Sequence, residues 1–192
     1  MIAIIKYNAG NISSVQNALT RLGYSSVITD DTATILSADK VIFPGVGEAS
    51  SAMEYLKENG LDKVILEVKN PMLGICLGLQ LMCESSEEGN TTCLGIFNTK
   101  VKKFPLTDIV PHMGWNNFES IKGSLFKDII TKNDVYYVHS YYAEISEQTS
   151  AICNYIVPFS AVLQKDNFYA TQFHPEKSAA IGTQLLKNFL AL

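Results

Sequence analysis

Cys76 stands in Gly74-Ile75-Cys76-Leu77-Gly78, directly behind the apolar run Pro71-Met72-Leu73. A short buried strand followed at once by helix-forming residues implies a sharp turn. Glycines on both sides leave room there for a strained backbone that pushes one side chain up and out. A thiol presented in this way needs a base, and the base needs a group that holds its ring. Far downstream the chain offers His174-Pro175-Glu176, whose two titratable residues are expected on the same side of an extended segment. Pro175 stiffens the link between them. The helix beginning near Leu77 would add its N-terminal dipole in favour of thiolate at Cys76. Cys76 as nucleophile, His174 as base and Glu176 as its orienting acid predict a cysteine enzyme performing acyl transfer.

Two further histidines compete for the role of base. His112 precedes Met113-Gly114-Trp115 in what reads as a loop, and His139 lies in an apolar strand with no acid at comparable spacing. Both read as structural or interface residues. Pro44-Gly45-Val46-Gly47 is either a plain strand-ending turn or an oxyanion site. In the second case backbone N–H groups of Gly45, Val46 and Gly47 approach the ligand, and the N–H of Leu77 is the other donor.

The elements that must position these groups alternate. Strands are predicted at 1–7, 27–29, 40–43 and 72–75, interleaved with helices to about Leu22, at 51–57, at 61–68 and after the Cys76 turn, with Ser13 as the first N-cap. The middle differs: strand-like runs at 95–103 and 135–143 suggest antiparallel additions. Strands at 161–164 and 169–173 and a helix at 182–190 restore the pattern. The expected fold is a doubly wound, mostly parallel α/β sheet with added antiparallel strands, in one domain over residues 1–192. Ligands in such sheets lie at the carboxyl ends of the strands, where the Pro44 loop, Cys76 and His174 all fall.

Composition excludes several alternatives. With 47% apolar residues, 18% charged and a net charge of −4, the chain has the make-up of a globular protein and lacks a basic face for nucleic acid. No stretch approaches the roughly 18 apolar residues of a membrane span. The four cysteines have no zinc-type spacing, so no metal and no cofactor are expected. Cys83, Cys93 and Cys153 read as small core residues, and reduced thiols suit a cytoplasmic location. On these residues alone, a stand-alone cysteine hydrolase and a non-catalytic binding subunit stay open as alternatives.

Cys76 in its turn and His174-Pro175-Glu176 together resemble the pattern of the class I glutamine amidotransferases. Asn8-Ala9-Gly10-Asn11, Pro44-Gly45-Val46-Gly47, Gly74 to Gln80, Pro111-His112-Met113-Gly114-Trp115-Asn116, Val138-His139-Ser140-Tyr141 and Gln172 to Glu176 extend the resemblance over nearly the full length. The second and fourth blocks point to the branch serving histidine biosynthesis. The resemblance implies a flavodoxin-like fold and hydrolysis of L-glutamine to glutamate and ammonia through a Cys76 thioester. It implies a glutamine pocket lined by Gln80, Glu88, Ser140 and Tyr141, with Glu88 facing the α-amino group. It also implies a heterodimer with a cyclase subunit built as a (β/α)8 barrel, to which ammonia passes. Trp115 is the expected anchor of that interface, with Met113, Asn116 and Tyr136 beside it. Glu48 and Tyr142 depart from the family pattern.

Overall fold

The computed structural model describes residues 1–192. Its first half alternates β1 (Ile2–Ile5), α1 (Ile12–Arg21), β2 (Ser26–Thr29), α2 (Thr32–Ser37), β3 (Lys40–Phe43), α3 (Ala49–Glu58), α4 (Leu61–Glu67), β4 (Met72–Ile75) and α5 (Leu77–Met82). Strands then dominate: β5 (Ser85–Ser86), β6 (Thr91–Thr92), β7 (Lys100–Lys103), β8 (His112–Asn116), β9 (Ser120–Ile121), β10 (Val135–His139), β11 (Tyr141–Ala143), β12 (Thr149–Tyr155), β13 (Val157–Lys165) and β14 (Phe168–Thr171). Helix α6 (Ala179–Leu190) closes the chain.

The main sheet has the order β2-β1-β3-β4-β14-β13-β12-β9. Pairing is parallel from β2 through β14 and antiparallel beyond it. A two-stranded sheet (β10-β8) and a four-stranded one (β11-β7-β5-β6) are added to it. This is the expected doubly wound, mostly parallel α/β fold with antiparallel additions. Its physical cause is legible in β1, where all four residues are buried. Ile2 and Ile4 join a core shared with Val15 and Leu19 of α1 and Leu185 and Phe189 of α6. Ala3 and Ile5 join the opposite core with Ile35, Met53, Leu56, Ile65 and Leu79. Alternate residues thus serve two helical layers, which is why the strand reads as an unbroken apolar run.

Several local expectations change. Ser13 lies inside α1; the N-cap is Asn11, with φ 70°, and it makes no side-chain bond to the helix. Helix α2 escapes prediction because Ile35 is its one buried residue and sets no period. The run 95–103 is strand only over Lys100–Lys103. The run 135–143 breaks at Ser140 into β10 and β11, which belong to different sheets. His112 and Trp115 are in strand β8, not in a loop. Pro175–Lys177 forms a tight helical turn where an extended segment is expected.

Gly78 fixes the depth at which α5 sits on the sheet. A Cβ there would lie 2.0 Å from the Phe43 carbonyl oxygen, a backbone atom with no freedom to move aside. Gly78→Ala is therefore expected to lower stability by about 3 kcal/mol and the melting temperature by roughly 10 °C. A thermal melt unchanged from wild type would show that α5 can lift without cost.

Candidate active site

Strand β4 delivers Cys76 at φ 54° and ψ −105°, a left-handed backbone that is rare for a residue with a side chain and costs of order 1–3 kcal/mol. Three hydrogen bonds hold it. Cys76 N donates to Thr171 O at 2.8 Å, Gln80 N donates to Cys76 O at 3.2 Å, and Leu77 N donates to Gly45 O at 3.3 Å. The sulfur is nearly buried, with Val138 O at 3.9 Å and Gln172 Nε2 at 3.7 Å. Helix α5 is only six residues long, so its dipole is a minor influence on the thiol. The principal electrostatic partner is the imidazole.

His174 follows β14 and is fully buried. Its Nδ1 lies 2.8 Å from Glu176 Oε1, and the carboxylate side chain is itself fully buried. The tight turn after His174, rather than an extended strand, brings the acid back onto the ring. Asn11 Nδ2 donates to the same Glu176 oxygen, across 165 residues of sequence. Neither Asn11 nor Gln172 stood out as a site residue from spacing, although both lie in the blocks that carry the family resemblance.

His174 Nε2 is buried without a well-formed hydrogen bond, yet the Cys76 sulfur is close enough to act on its charge. Burial disfavours the cation. The Cys76 charge, followed by Glu176, outweighs burial and raises the imidazole from 6.5 to about 10.

The cavity beside Cys76 has a volume of about 310 Å³. Val46, Gly47, Cys76, Leu77, Gln80, Glu88, Ser140 and Tyr141 line it, joined by Pro111, Val138 and His139. Gly45, His174 and Glu176 do not line it. Gln80 is 4% exposed, and its Nε2 is taken up by Tyr141 O at 3.0 Å and Gln172 Oε1 at 3.1 Å. Its amide N–H groups therefore brace the wall. Glu88 Oε2 accepts from Ala49 N at 2.8 Å, which seats the carboxylate at the start of α3 while burial raises its pKa. Glu48 caps the same helix through Ser50 N and Ser51 N; the Ser50 hydroxyl first, then the Ser51 N–H, hold its carboxyl down at about 2. That is a structural reason for the charge at this position.

The expected oxyanion donors are not all free in this conformation. Gly45 presents its carbonyl to Leu77 N–H, so the donor assigned to Leu77 is already occupied by the chain itself. The loop is pinned on either side: Tyr7 OH donates to Pro44 O at 2.6 Å, and Gly10 N donates to Val46 O at 3.1 Å. Tyr7 was not singled out from the sequence; burial raises its pKa and leaves it a donor.

The four expected interface residues lie on the antiparallel β8–β10 strand pair, where Trp115 is opposite Tyr136 and Met113 opposite Val138. Met113 is 63% exposed and Trp115 55%, and the Trp115 and Tyr136 rings meet edge-on at 5.9 Å. Asn116 differs. Strand alternation turns its amide inward, to Asn154 O at 3.1 Å and towards His112 Nε2 at 3.4 Å. This strand pair also backs onto His174, whose N donates to Tyr136 O at 3.0 Å.

The family described as glutamine amidotransferase class-I matches residues 3–192. The chain belongs to the class I glutamine amidotransferases. Among curated relatives, "Imidazole glycerol phosphate synthase subunit HisH" of Bacteroides fragilis (strain YCH46) is 59% identical over 194 residues, spanning 100% of this chain and 99% of the relative. The protein of the same name from Haemophilus influenzae (strain ATCC 51907 / DSM 11121 / KW20 / Rd) is 48% identical over 191 residues, 98% of this chain and 96% of its own. A solved "glutamine amidotransferase" superposes with a TM-score of 0.73 at 18% identity, covering 99% of this chain and 97% of that one. The glutaminase domain of Trypanosoma brucei CTPS gives 0.63 at 14%, covering 99% and 93%. These two structures share the fold. In this member of the family, the cavity ends on a buried line of Cys76, His174 and Glu176.

The raised imidazole has a consequence for stability. Up to pH 6.5 the ring is charged in both the folded and the unfolded chain, and its stabilising effect is complete. Above that the unfolded chain loses the proton first, so the contribution shrinks and is gone once pH passes about 10. Urea-unfolding midpoints should therefore fall between pH 7 and pH 10, and Cys76→Ala should flatten that fall. An equally steep fall in the variant would sever His174 from Cys76 electrostatically.

Proposed function

We propose that this chain is the glutaminase subunit of imidazole glycerol phosphate synthase, releasing ammonia from glutamine for a cyclase partner in histidine biosynthesis. The observation that carries the chemistry is the buried His174, held through Nδ1 by a Glu176 oxygen 2.8 Å away and raised in pKa by the neighbouring Cys76 charge. The 59% identity over the whole chain supports the particular synthase.

The steps follow from the electrostatics. Cys76 thiolate attacks the side-chain amide carbon of glutamine, and the imidazolium gives its proton to the departing nitrogen, leaving ammonia and a neutral thioester. Forming the thioester removes the negative charge that kept His174 protonated. Burial then favours the neutral ring, so the same group becomes the base that activates water for the second step. Glutamate leaves and the thiolate returns. Ser140, Tyr141 and Glu88 shape the substrate end of the cavity, and Glu88, half-buried at the helix start, is the group that meets the α-amino nitrogen.

The oxyanion formed in each step needs donors, and Gly45 O occupies one of them. Rotating the peptide between Gly45 and Val46 removes that carbonyl from Leu77 N–H and swings the Val46 N–H towards the cavity, giving two donors in one movement. Tyr7 and Gly10 hold the flanking carbonyls, so the movement is confined to one peptide. A cyclase subunit of (β/α)8 form, docked on Met113, Trp115 and Tyr136 in a heterodimer, would receive the ammonia before water protonates it.

Glutamate release from glutamine is expected to be low for the chain alone, to rise strongly with the cyclase subunit and an analogue of its substrate, and to vanish in Cys76→Ala. Fast hydrolysis without any partner would favour a stand-alone hydrolase, and none in any mixture a binding subunit. Trp115→Ala should lose about tenfold or more of the stimulation while circular dichroism stays as in wild type; full stimulation would move the interface elsewhere.

A further inference from the structure

The β8–β10 strand pair carries two histidines that this chemistry does not use. His112 and His139 are both buried and opposite each other in the β8–β10 register, with His112 Nδ1 3.0 Å from His139 Nε2. Their protons follow by elimination. Tyr141 O is a carbonyl that only accepts, so His139 Nδ1, 2.7 Å from it, carries a hydrogen. In the neutral ring His139 Nε2 is then an acceptor, and His112 Nδ1 donates to it. That leaves His112 Nε2 as an acceptor, with Asn116 Nδ2 facing it at 3.4 Å. A second proton on either ring would break one of these contacts. Burial, the first cause in each case, holds His112 down at about 4 and His139 at about 3.

The relay continues beyond Tyr141. Its carbonyl takes a second hydrogen from Gln80 Nε2 at 3.0 Å, which uses both lone pairs. Gln80 also donates to Gln172 Oε1 at 3.1 Å, and the Gln172 amide reaches the Cys76 sulfur at 3.7 Å. One end of the run is therefore the strand that exposes Met113 and Trp115, and the other end is the nucleophile. His112 cannot easily swing out of it. Its ring is stacked on Tyr155 at 4.0 Å and on Tyr137 at 4.7 Å.

We propose that His112 and His139 are positioning residues whose one-way hydrogen bonds fix the Ser140–Tyr141 edge of the cavity for glutamine and tie that edge to the strand offered to the partner. The proposal rests on reading the cavity as a glutamine site. A pair that merely filled the core would affect stability alone. A pair that sets the edge of the pocket affects how glutamine is held.

Two measurements on the full chain test this. Two-bond proton–nitrogen correlation spectra of histidine-labelled wild type at pH 7 should show both rings protonated at Nδ1 and bare at Nε2. The commoner Nε2–H form at either ring would overturn the relay. With the cyclase partner present, His112→Phe keeps an aromatic ring in the stack but cuts both bonds. The KM for glutamine should rise about tenfold while kcat changes less than about threefold. His112→Asn, which restores a donor near the Nδ1 position, should recover most of the loss. Unchanged kinetics with only a lower melting temperature would make the pair purely structural. A wild-type chain inert towards glutamine even with its partner would refute the glutaminase reading instead, and the spectra would then decide the relay by themselves; they also decide it if His112→Phe fails to fold.

Discussion

One backbone conformation organises this molecule: Cys76 at φ 54°, a strained turn between β4 and α5. Strain of this kind persists only where the surroundings over-determine it. Here β14 holds the Cys76 N–H, α5 holds its carbonyl, and the loop after β3 holds the next N–H. The three contributors are the strand that leads to His174, the helix that carries Gln80, and the loop that carries Val46. The same bonds that keep the turn strained therefore align Cys76, the strand leading to His174 and the Gly45–Val46 loop against one another. The parallel sheet supplies the precision, because β3, β4 and β14 are neighbours within it.

Charge placement completes what geometry begins. A buried imidazolium is costly unless paired, and His174 is paired with Glu176 through Nδ1 while the Cys76 charge acts on it from nearby. The acid that holds it is buried and is met in turn by Asn11. The group is thus ready to give a proton while the thiolate faces it. It is ready to accept one once the thiolate has become an ester. Two opposite roles follow from one burial and one charge that comes and goes.

What the sequence reveals is local. The turn at Cys76, the apolar strands of the parallel core and the pairing of His174 with Glu176 are all written within a few residues, in patterns of period and spacing. What it conceals is long-range. Asn11 meets Glu176 across a sequence separation of 165, and Tyr7 meets Pro44 only because β1 and β3 are adjacent. His112 and Trp115 read as loop because Pro111 and Gly114 disguise the strand; the inward turn of the Asn116 amide follows from the alternation of that strand. The direction of the Gly45 carbonyl is not encoded in residue type at all. Glycine permits either peptide orientation, and the neighbouring Leu77 N–H selects one.

That carbonyl makes the resting protein its own competitor. Any ligand that places negative oxygen beside Leu77 must first displace Gly45 O, and its apparent affinity is reduced by the fraction of molecules in which the peptide has already turned. Ligands that occupy the cavity without an oxyanion escape this tax. Inhibitors ranked on the isolated chain would therefore be ordered by how little they resemble the reaction. The same compounds ranked on an assembly that has turned the peptide would be ordered by how closely they do.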